Sequence, residues 1–247
     1  MRAVGRALAG SVSGYLADPQ LTVQQLNTST GVWSVIASND NWSSSANSTA
    51  LIQAAAATGA SPLSNPSRDA AVLPTIGNGI YTMIASGVGG STGVGLAEVF
   101  DTDSSNSNHV VAISTRAYVG TGNNVMIAGV VIGGSGNKYL LIKALGPQLS
   151  SQVAGTLSNP RIDLYRYANG QSTLIRSNDN WQFDETGQQG ESSAINSVCQ
   201  RVGTAQMVSG GLDSALLVSL PPGIYTAIVS GVNGSVGVAT LEVYEVN

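Results

Sequence analysis

Ser-Asn-Asp-Asn-Trp stands at residues 38–42 of this 247-residue chain, and the same five residues recur unchanged at 177–181. The repeat extends in both directions from this stretch. Further matches keep one order in the two copies: Arg2-Ala3-Val4-Gly5 with Lys143-Ala144-Leu145-Gly146, Ile80-Tyr81-Thr82 with Ile224-Tyr225-Thr226, and Val94–Phe100 with Val238–Tyr244. Residues 1–101 therefore align with residues 142–245, and an internal duplication decides the fold.

Short apolar segments bounded by turn residues fill both copies. In the second copy, Asn169-Gly170 is a strong hairpin signal, and Pro221-Pro222-Gly223 ends an apolar run. Two segments favour a helix, Ser192–Arg201 and its counterpart Thr49–Thr58. Short strands with a turn about every 8–12 residues are typical of sandwiches and barrels. We therefore predict an all-β chain of two tandem jelly-roll-like β-sandwich modules.

The two copies differ at their N-terminal ends. Residues 109–141 precede the second copy and have no counterpart before Met1. Two segments in this stretch, Val110–Val119 and Val125–Ile132, have the composition of strands and are followed by Gly-rich turns. We predict a first module over residues 1–103 that lacks its opening strands, a linker over 104–108, and a complete second module over 109–247.

A single set of opening strands for two modules has consequences for assembly. Completing either module leaves the other with an unpaired edge, which is a template for a strand from another chain. A head-to-tail contact of that kind does not close and gives a filament. Two alternatives remain: Met1 marks the boundary of a processed or fragmentary chain, or the shortened module is self-sufficient. Residues 1–5 do not form a signal peptide, so a leader has been removed or the chain is a fragment.

Composition excludes several function classes. The net charge is −4, the sequence pI is about 4.8, and no Lys/Arg cluster is present, which disfavours binding to nucleic acid. No apolar run reaches the roughly 18–20 residues of a membrane span. With His109 as the single histidine and Cys199 as the single cysteine, neither a Ser-His-Asp or Cys-His set nor a zinc site fits within one module. We expect no catalytic residues, and a structural core position for Cys199.

The repeated motifs resemble a module of large secreted bacterial surface proteins. The resemblance rests on Ser-Asn-Asp-Asn-Trp, on Ile-Tyr-Thr followed by Ser-Gly-Val, and on Gly-Val followed by Glu-Val-Tyr. Residues 113–122 and 141–147 are similar to the opening of that module, although Arg6 stands in copy one where copy two has Pro147. The second half is similar, more distantly, to the pre-peptidase C-terminal domain, a jelly-roll-like sandwich appended to secreted enzymes. Some relatives of that domain bind calcium and extracellular polymers, which the resemblance extends to this chain as an expectation.

The Asn-Asp-Asn-Trp turns are the best candidate site. They place Asn39, Asp40 and Asn41 in copy one, and Asn178, Asp179 and Asn180 in copy two, where hard oxygen ligands suit Ca²⁺. The alternative is an Asx-turn, in which these side chains bind their own backbone. Trp42 and Trp181 are expected to plug one end of each sandwich, with a sugar-stacking platform as the other interpretation.

Charged residues also match between the copies. Glu98 and Glu242 lie among apolar neighbours, and a buried carboxylate needs a partner. We predict structural ion pairs of Glu98 with Arg2 and of Glu242 with Lys143, with a ligand-binding glutamate as the alternative. Asp69 and Asp213 are expected to cap a turn before a strand.

These observations favour a secreted, non-enzymatic structural protein. We expect a repeating unit of a surface layer, matrix or fibre whose partners are copies of itself or adjacent modules. The alternative is an accessory module that binds polysaccharide or a surface with the help of calcium. No cofactor is required by either hypothesis, and Ca²⁺ is the one candidate.

Overall fold

A computed structural model describes residues 1–103, 109–184, 186–187 and 190–246 of the chain. The chain divides into two compact units, Met1–His109 (unit 1) and Val110–Asn247 (unit 2). The predicted linker, residues 104–108, lies outside the described residues. Both units are all-β sandwiches built from antiparallel sheets, as the turn-rich sequence predicts.

Unit 1 contains two three-stranded sheets and one helix. The strand order is β3-β2-β5 in one sheet and β4-β1-β6 in the other. The elements are β1 (Arg2–Val4), β2 (Pro19–Asn27), β3 (Val32–Asn39), α1 (Ser48–Thr58), β4 (Ala70–Ala71), β5 (Tyr81–Gly87) and β6 (Leu96–Glu98). The core between the sheets is small, with Leu21 and Val23 of β2 as its most buried large side chains.

Unit 2 repeats this plan with four strands in each sheet. The orders are β11-β10-β13-β8 and β12-β9-β14-β7. The elements are β7 (Ala112–Val119), β8 (Met126–Ile132), β9 (Lys138–Leu145), β10 (Pro160–Ala168), β11 (Gln171–Asn178), α2 (Ser192–Arg201), β12 (Ser214–Leu220), β13 (Gly223–Gly231) and β14 (Gly237–Glu245). Its main core fills the space between the sheets, and a second apolar cluster lies under α2.

The extra strands of unit 2 are the opening strands that the sequence predicts for the second module. β7 pairs with β14, and β8 pairs with β13, so these strands complete unit 2. Among the described residues of unit 1, no strand occupies the corresponding places beside β6 and β5. The sequence predicts a strand over Val94–Phe100, but regular pairing covers only Leu96–Glu98, because no β7-like neighbour supports β6.

Two backbone features restrict which residues can stand at their positions. Asn169 and Gly170 have φ of 53° and 78°, the left-handed pair that a two-residue hairpin requires, and they join β10 to β11. Gly5 and Gly146 follow β1 and β9 at a close approach of two backbones. A Cβ at either position would lie 2.0 Å from the carbonyl oxygen of Leu16 or Leu157, so only glycine fits.

Candidate functional site

The Asn-Asp-Asn-Trp turns follow β3 and β11, and their first asparagine binds backbone. The Asn39 amide donates to the Asn41 carbonyl at 3.3 Å, and its oxygen accepts from the Ala71 amide at 3.1 Å. Asn178 repeats both bonds, to the Asn180 carbonyl at 3.2 Å and from the Ala215 amide at 3.2 Å. Each asparagine thus ties the turn to the edge of the opposite sheet, because its side-chain nitrogen binds the backbone of the turn and its oxygen binds a strand of the other sheet.

The two aspartates of these turns face outward. Asp40 is exposed and Asp179 is half-buried, and the Asn180 amide donates to the Asp179 carboxylate at 3.3 Å. The described residues contain no group of three or more His, Cys, Asp or Glu side chains that could hold a metal ion. A calcium site here would draw on one carboxylate per turn and on carbonyl oxygens, and it stays a prediction.

The tryptophans that end these turns are buried in both units. Trp42 and Trp181 are each 3% exposed. The indole N–H of Trp42 donates to the Ser64 carbonyl at 3.2 Å, and that of Trp181 donates to the Val208 carbonyl at 3.1 Å. Because the rings pack beside the helices with their N–H groups satisfied, they hold the helices on the sandwiches. Neither ring is available as a stacking platform for a sugar.

Asp69 and Asp213 are buried carboxylates that bind backbone amides. Asp213 accepts from the amides of Gly146 at 2.8 Å and Gln148 at 3.3 Å, and Asp69 accepts from Gly5 at 2.8 Å. Each aspartate comes directly before β4 or β12, but the turn that it caps is the one after β1 or β9. This is possible because β4 lies next to β1, and β12 next to β9, in the sheet. Burial raises the pKa of Asp213, and its backbone hydrogen bonds oppose that rise.

The ion pair of unit 2 is enclosed. The Lys143 side chain is fully buried, and its ammonium lies 3.1 Å from the Glu242 carboxylate. It also donates to the Thr204 hydroxyl at 3.1 Å and to the Ala205 carbonyl at 3.0 Å. Desolvation by burial raises the pKa of Tyr244, which donates toward Glu242 and Thr204, to about 12. These contacts hold β9, β14 and the loop after α2 together.

Unit 1 contains the matching pair in a more open setting. The Arg2 guanidinium binds the Glu98 carboxylate, with the Nε–Oε2 distance at 2.8 Å, and also the Ser61 carbonyl. The guanidinium lies over the Phe100 ring, 5.4 Å from its centroid. Phe100 aligns with Tyr244. In each unit the cluster therefore consists of a basic residue, a glutamate and an aromatic residue at matching sequence positions. The predicted ion pairs of both units are therefore formed.

The single cysteine of the chain belongs to the apolar cluster under α2 that includes Trp181 and packs against Tyr244. Cys199 is fully buried in α2, and desolvation raises the pKa of its thiol, which keeps it protonated. His109 is exposed at the end of unit 1.

One open cleft, of about 710 Å³, lies beside the repeated turn of unit 2. The sequence signal for it is the set of extra residues around 183–190 in copy two, of which 185, 188 and 189 lie outside the described residues. Arg161 is a lining residue that the sequence reasoning missed, and its guanidinium binds Asp163 at 2.9 Å. The polar and aromatic lining includes Arg161, Asn178, Asp179, Asn180, Phe183 and Asp184.

Comparisons with known proteins leave the chain without an assigned family. No family model matches it, and no curated protein matches it. A crystal structure of a protein from Sulfurospirillum deleyianum aligns with 56% of this chain and 98% of its own, at 12% identity and a TM-score of 0.29. That similarity is too low to support an argument about fold or function. None of the helices among the described residues is long and apolar enough to cross a membrane.

Proposed function

We propose that this chain is a non-catalytic, extracellular structural protein that serves as a repeating unit of a surface layer, matrix or fibre. One observation carries the proposal: the polar residues that repeat between the units mostly bind the protein itself. Asn178, Asp213 and Lys143, with their counterparts in unit 1, hold backbone amides, carbonyls or one another. A duplicated module whose matched polar residues serve its own structure suits a load-bearing or spacing role.

The resemblance to secreted bacterial repeat modules supports the same role and an extracellular location. The test is to image the native material by electron microscopy and to locate the protein on it with a labelled antibody. The proposal expects regularly spaced label along a fibre, layer or matrix. Label confined to a freely diffusing monomer would overturn it.

A second candidate function is the binding of polysaccharide, assisted by calcium. The cleft beside Asp179 favours it, because unit 2 combines an exposed aromatic ring, Phe183, with carboxylate and amide groups there. Sugar sites use this combination of stacking and hydrogen bonding.

A glycan array with the purified chain tests this candidate, using Asp179→Ala as the variant and Asp40→Ala as the matched control in unit 1. Binding that is lost in the first variant alone supports it. Calcium involvement predicts that a chelator lowers the Tm and that added Ca²⁺ restores it by mass action. An unchanged Tm would mean that these segments are structural turns without a metal.

A further inference from the structure

One sheet of unit 2 has an apolar side that faces away from the main core, here called the outer face. The sheet is β11-β10-β13-β8, and its outward residues alternate along the strands with core residues such as Met126 and Tyr225. Large apolar side chains of the outer face are exposed: Val131 by 76%, Ile127 by 56%, Ile224 by 49%, Leu174 by 48% and Tyr167 by 47%. A contiguous apolar patch of this kind marks an interaction surface.

The other sheet of unit 2 shows how this fold treats an apolar outer side. Leu141 and Leu145 point outward from β9, yet they are 0% and 4% exposed, because α2 and Trp181 pack over them. The outer face of β11-β10-β13-β8 keeps its exposure within the chain. A cover for it therefore has to come from another molecule.

The chemistry of the outer face favours a protein surface over a sugar or an anionic ligand. Ile127, Val131 and Ile224 offer no hydrogen-bonding groups, which a saccharide site needs. At one end of the face, the Arg161 guanidinium lies 2.9 Å from the Asp163 carboxylate, so the two charges offset each other. An apolar face of low net charge is complementary to another face of the same kind.

The two edge strands of this sheet carry opposite patterns of side-chain size. Residues paired across the four strands form rows, and each row joins one outward residue of β8 to one of β11. The order large, small, large on β8 meets the order small, large, small on β11. The three rows join Val131 to Ser172, Gly129 to Leu174, and Ile127 to Ser177.

We propose that the outer face of unit 2 binds the outer face of a second copy of the chain, about a two-fold axis that runs along the strands. Such an axis lays β8 of one copy over β11 of the other, so that Leu174 of one copy enters the hollow at Gly129 of the other. Because the contact is reciprocal, the same fit occurs twice. The strands of the two sheets are then aligned, as they are between the sheets of a sandwich.

The size of the outer face agrees with a weak, reversible contact. Four strands about 4.8 Å apart, over the seven residues of β8 at about 3.3 Å each, give an area on the order of 450 Å². Two faces together bury roughly 900 Å², close to the ~1,000 Å² at which specific interfaces begin. We therefore expect a Kd between about 10 µM and 1 mM.

This contact deepens the proposed role as a repeating structural unit, and it rests on that role for its biological setting. Contacts of modest strength hold an array together when each copy lies among many neighbours, because binding at one site raises the effective concentration at the next.

The test is sedimentation equilibrium of the full chain over a concentration series that reaches about 1 mM. Gly129→Val fills the hollow and leaves the folded unit intact, because a Cβ at Gly129 meets no atom within 4 Å and valine suits a strand. Leu174→Lys places a charge on the apolar face. Its matched control is Val35→Lys, because Val35 aligns with Leu174 and is exposed on β3 of unit 1.

The unmodified chain and Val35→Lys are expected to form dimers with the same Kd. Gly129→Val should raise the Kd by about tenfold or more, which corresponds to roughly 1.4 kcal/mol, and Leu174→Lys should raise it further. Adding Leu174→Ala to Gly129→Val makes room opposite the valine and should recover most of the affinity. Thermal melts verify that each variant is folded.

Several results would contradict this contact. A chain that stays monomeric at every concentration overturns the proposal, and so does a dimer whose Kd is unchanged by Gly129→Val and Leu174→Lys. If Leu174→Ala does not relieve the effect of Gly129→Val, the two-fold arrangement is wrong. Binding of a monomeric chain to neutral lipid vesicles, lost in Leu174→Lys, would assign the outer face to a lipid surface instead.

The contact and the proposed function can fail separately. Dimers in solution, together with native label confined to freely diffusing protein, would refute the structural role and leave the contact intact. A monomeric chain in solution, together with regularly spaced label on a fibre or layer, would refute the contact alone.

Discussion

Removing the negative charge beside Lys143 gives a quantitative test of how unit 2 is held together. In Glu242→Gln, the fully buried ammonium keeps the Thr204 hydroxyl and the Ala205 carbonyl but loses its only close carboxylate among the described residues. Breaking a buried pair typically costs about 3–5 kcal/mol. Because two neutral acceptors remain, we expect a loss of about 3 kcal/mol in the free energy of unfolding of unit 2.

Unit 1 provides the matched control for this substitution. The Arg2 and Glu98 side chains are 9% and 20% exposed, so Glu98→Gln is expected to cost unit 1 less, about 1–2 kcal/mol. The double variant Lys143→Met with Glu242→Leu removes both charges and should recover most of the lost stability, because apolar residues of similar volume replace the pair.

The measurement must resolve the two units, since they need not unfold together. Native-state hydrogen exchange of amides in β9 and β14 reports unit 2, and exchange in β2 reports unit 1. A loss below about 1 kcal/mol for Glu242→Gln would place the pair with ordinary surface salt bridges and refute the reasoning from burial.

Three further substitutions follow from the described contacts. Because burial raises the pKa of Asp213, the folded state holds this proton more tightly than the unfolded state. The free energy of unfolding should therefore fall as pH rises from about 4 through the folded pKa. Urea unfolding of Asp213→Asn should lack this dependence on pH. The pKa of Tyr244 is about 12, so its contribution to stability is lost as pH rises from about 10 to 12, and alkaline unfolding of Tyr244→Phe should show no such loss. Gly146→Ala should destabilise unit 2 by at least about 1–3 kcal/mol, because its Cβ would lie 2.0 Å from the Leu157 carbonyl oxygen. A thermal melt of Gly146→Ala that matches the unmodified chain would contradict the close backbone approach.

The sequence predicts those parts of the fold whose geometry restricts the choice of residue. Few residue types fit at Gly5 and Gly146, in the Asn169-Gly170 turn, or at the paired Arg2 and Glu98, so these residues recur or stand out in the sequence. For this reason the duplication, the sandwich class and the ion pairs could be predicted. The helix bounds were also close, Ser192–Arg201 as predicted and Ser48–Thr58 instead of Thr49–Thr58.

Other features depend on contacts that leave no local pattern. Thr204 and Ala205 reach Lys143 from a loop about 60 residues away, and nothing in the loop sequence marks that role. The sequence assigns β7 and β8 to the second module by their position in the chain, but it does not show that they pair with β14 and β13. The cleft beside Asp179 depends on how residues after Trp181 fold back, so Arg161 was not a predictable member of it.

The outer edges of β5 and β6, which pair with no further strand among the described residues of unit 1, have a consequence during synthesis of the chain. β7 and β8 leave the ribosome directly after unit 1 and well before β13 and β14, the strands with which they finally pair. Closing the short connection from β6 to β7 costs less entropy than closing the long one from β7 to β14. We therefore expect the newly made strands to pair first with unit 1 and to transfer to unit 2 when it is complete, a risk of misassembly that tandem repeats share.

Such a transfer has a kinetic signature. Pulse-labelled hydrogen exchange during refolding should show early protection of β5 that declines as protection of β13 appears. Simultaneous protection of both strands would mean that the newly made strands never visit unit 1. A transient pairing of this kind would make the first unit a temporary holder for the strands of the second.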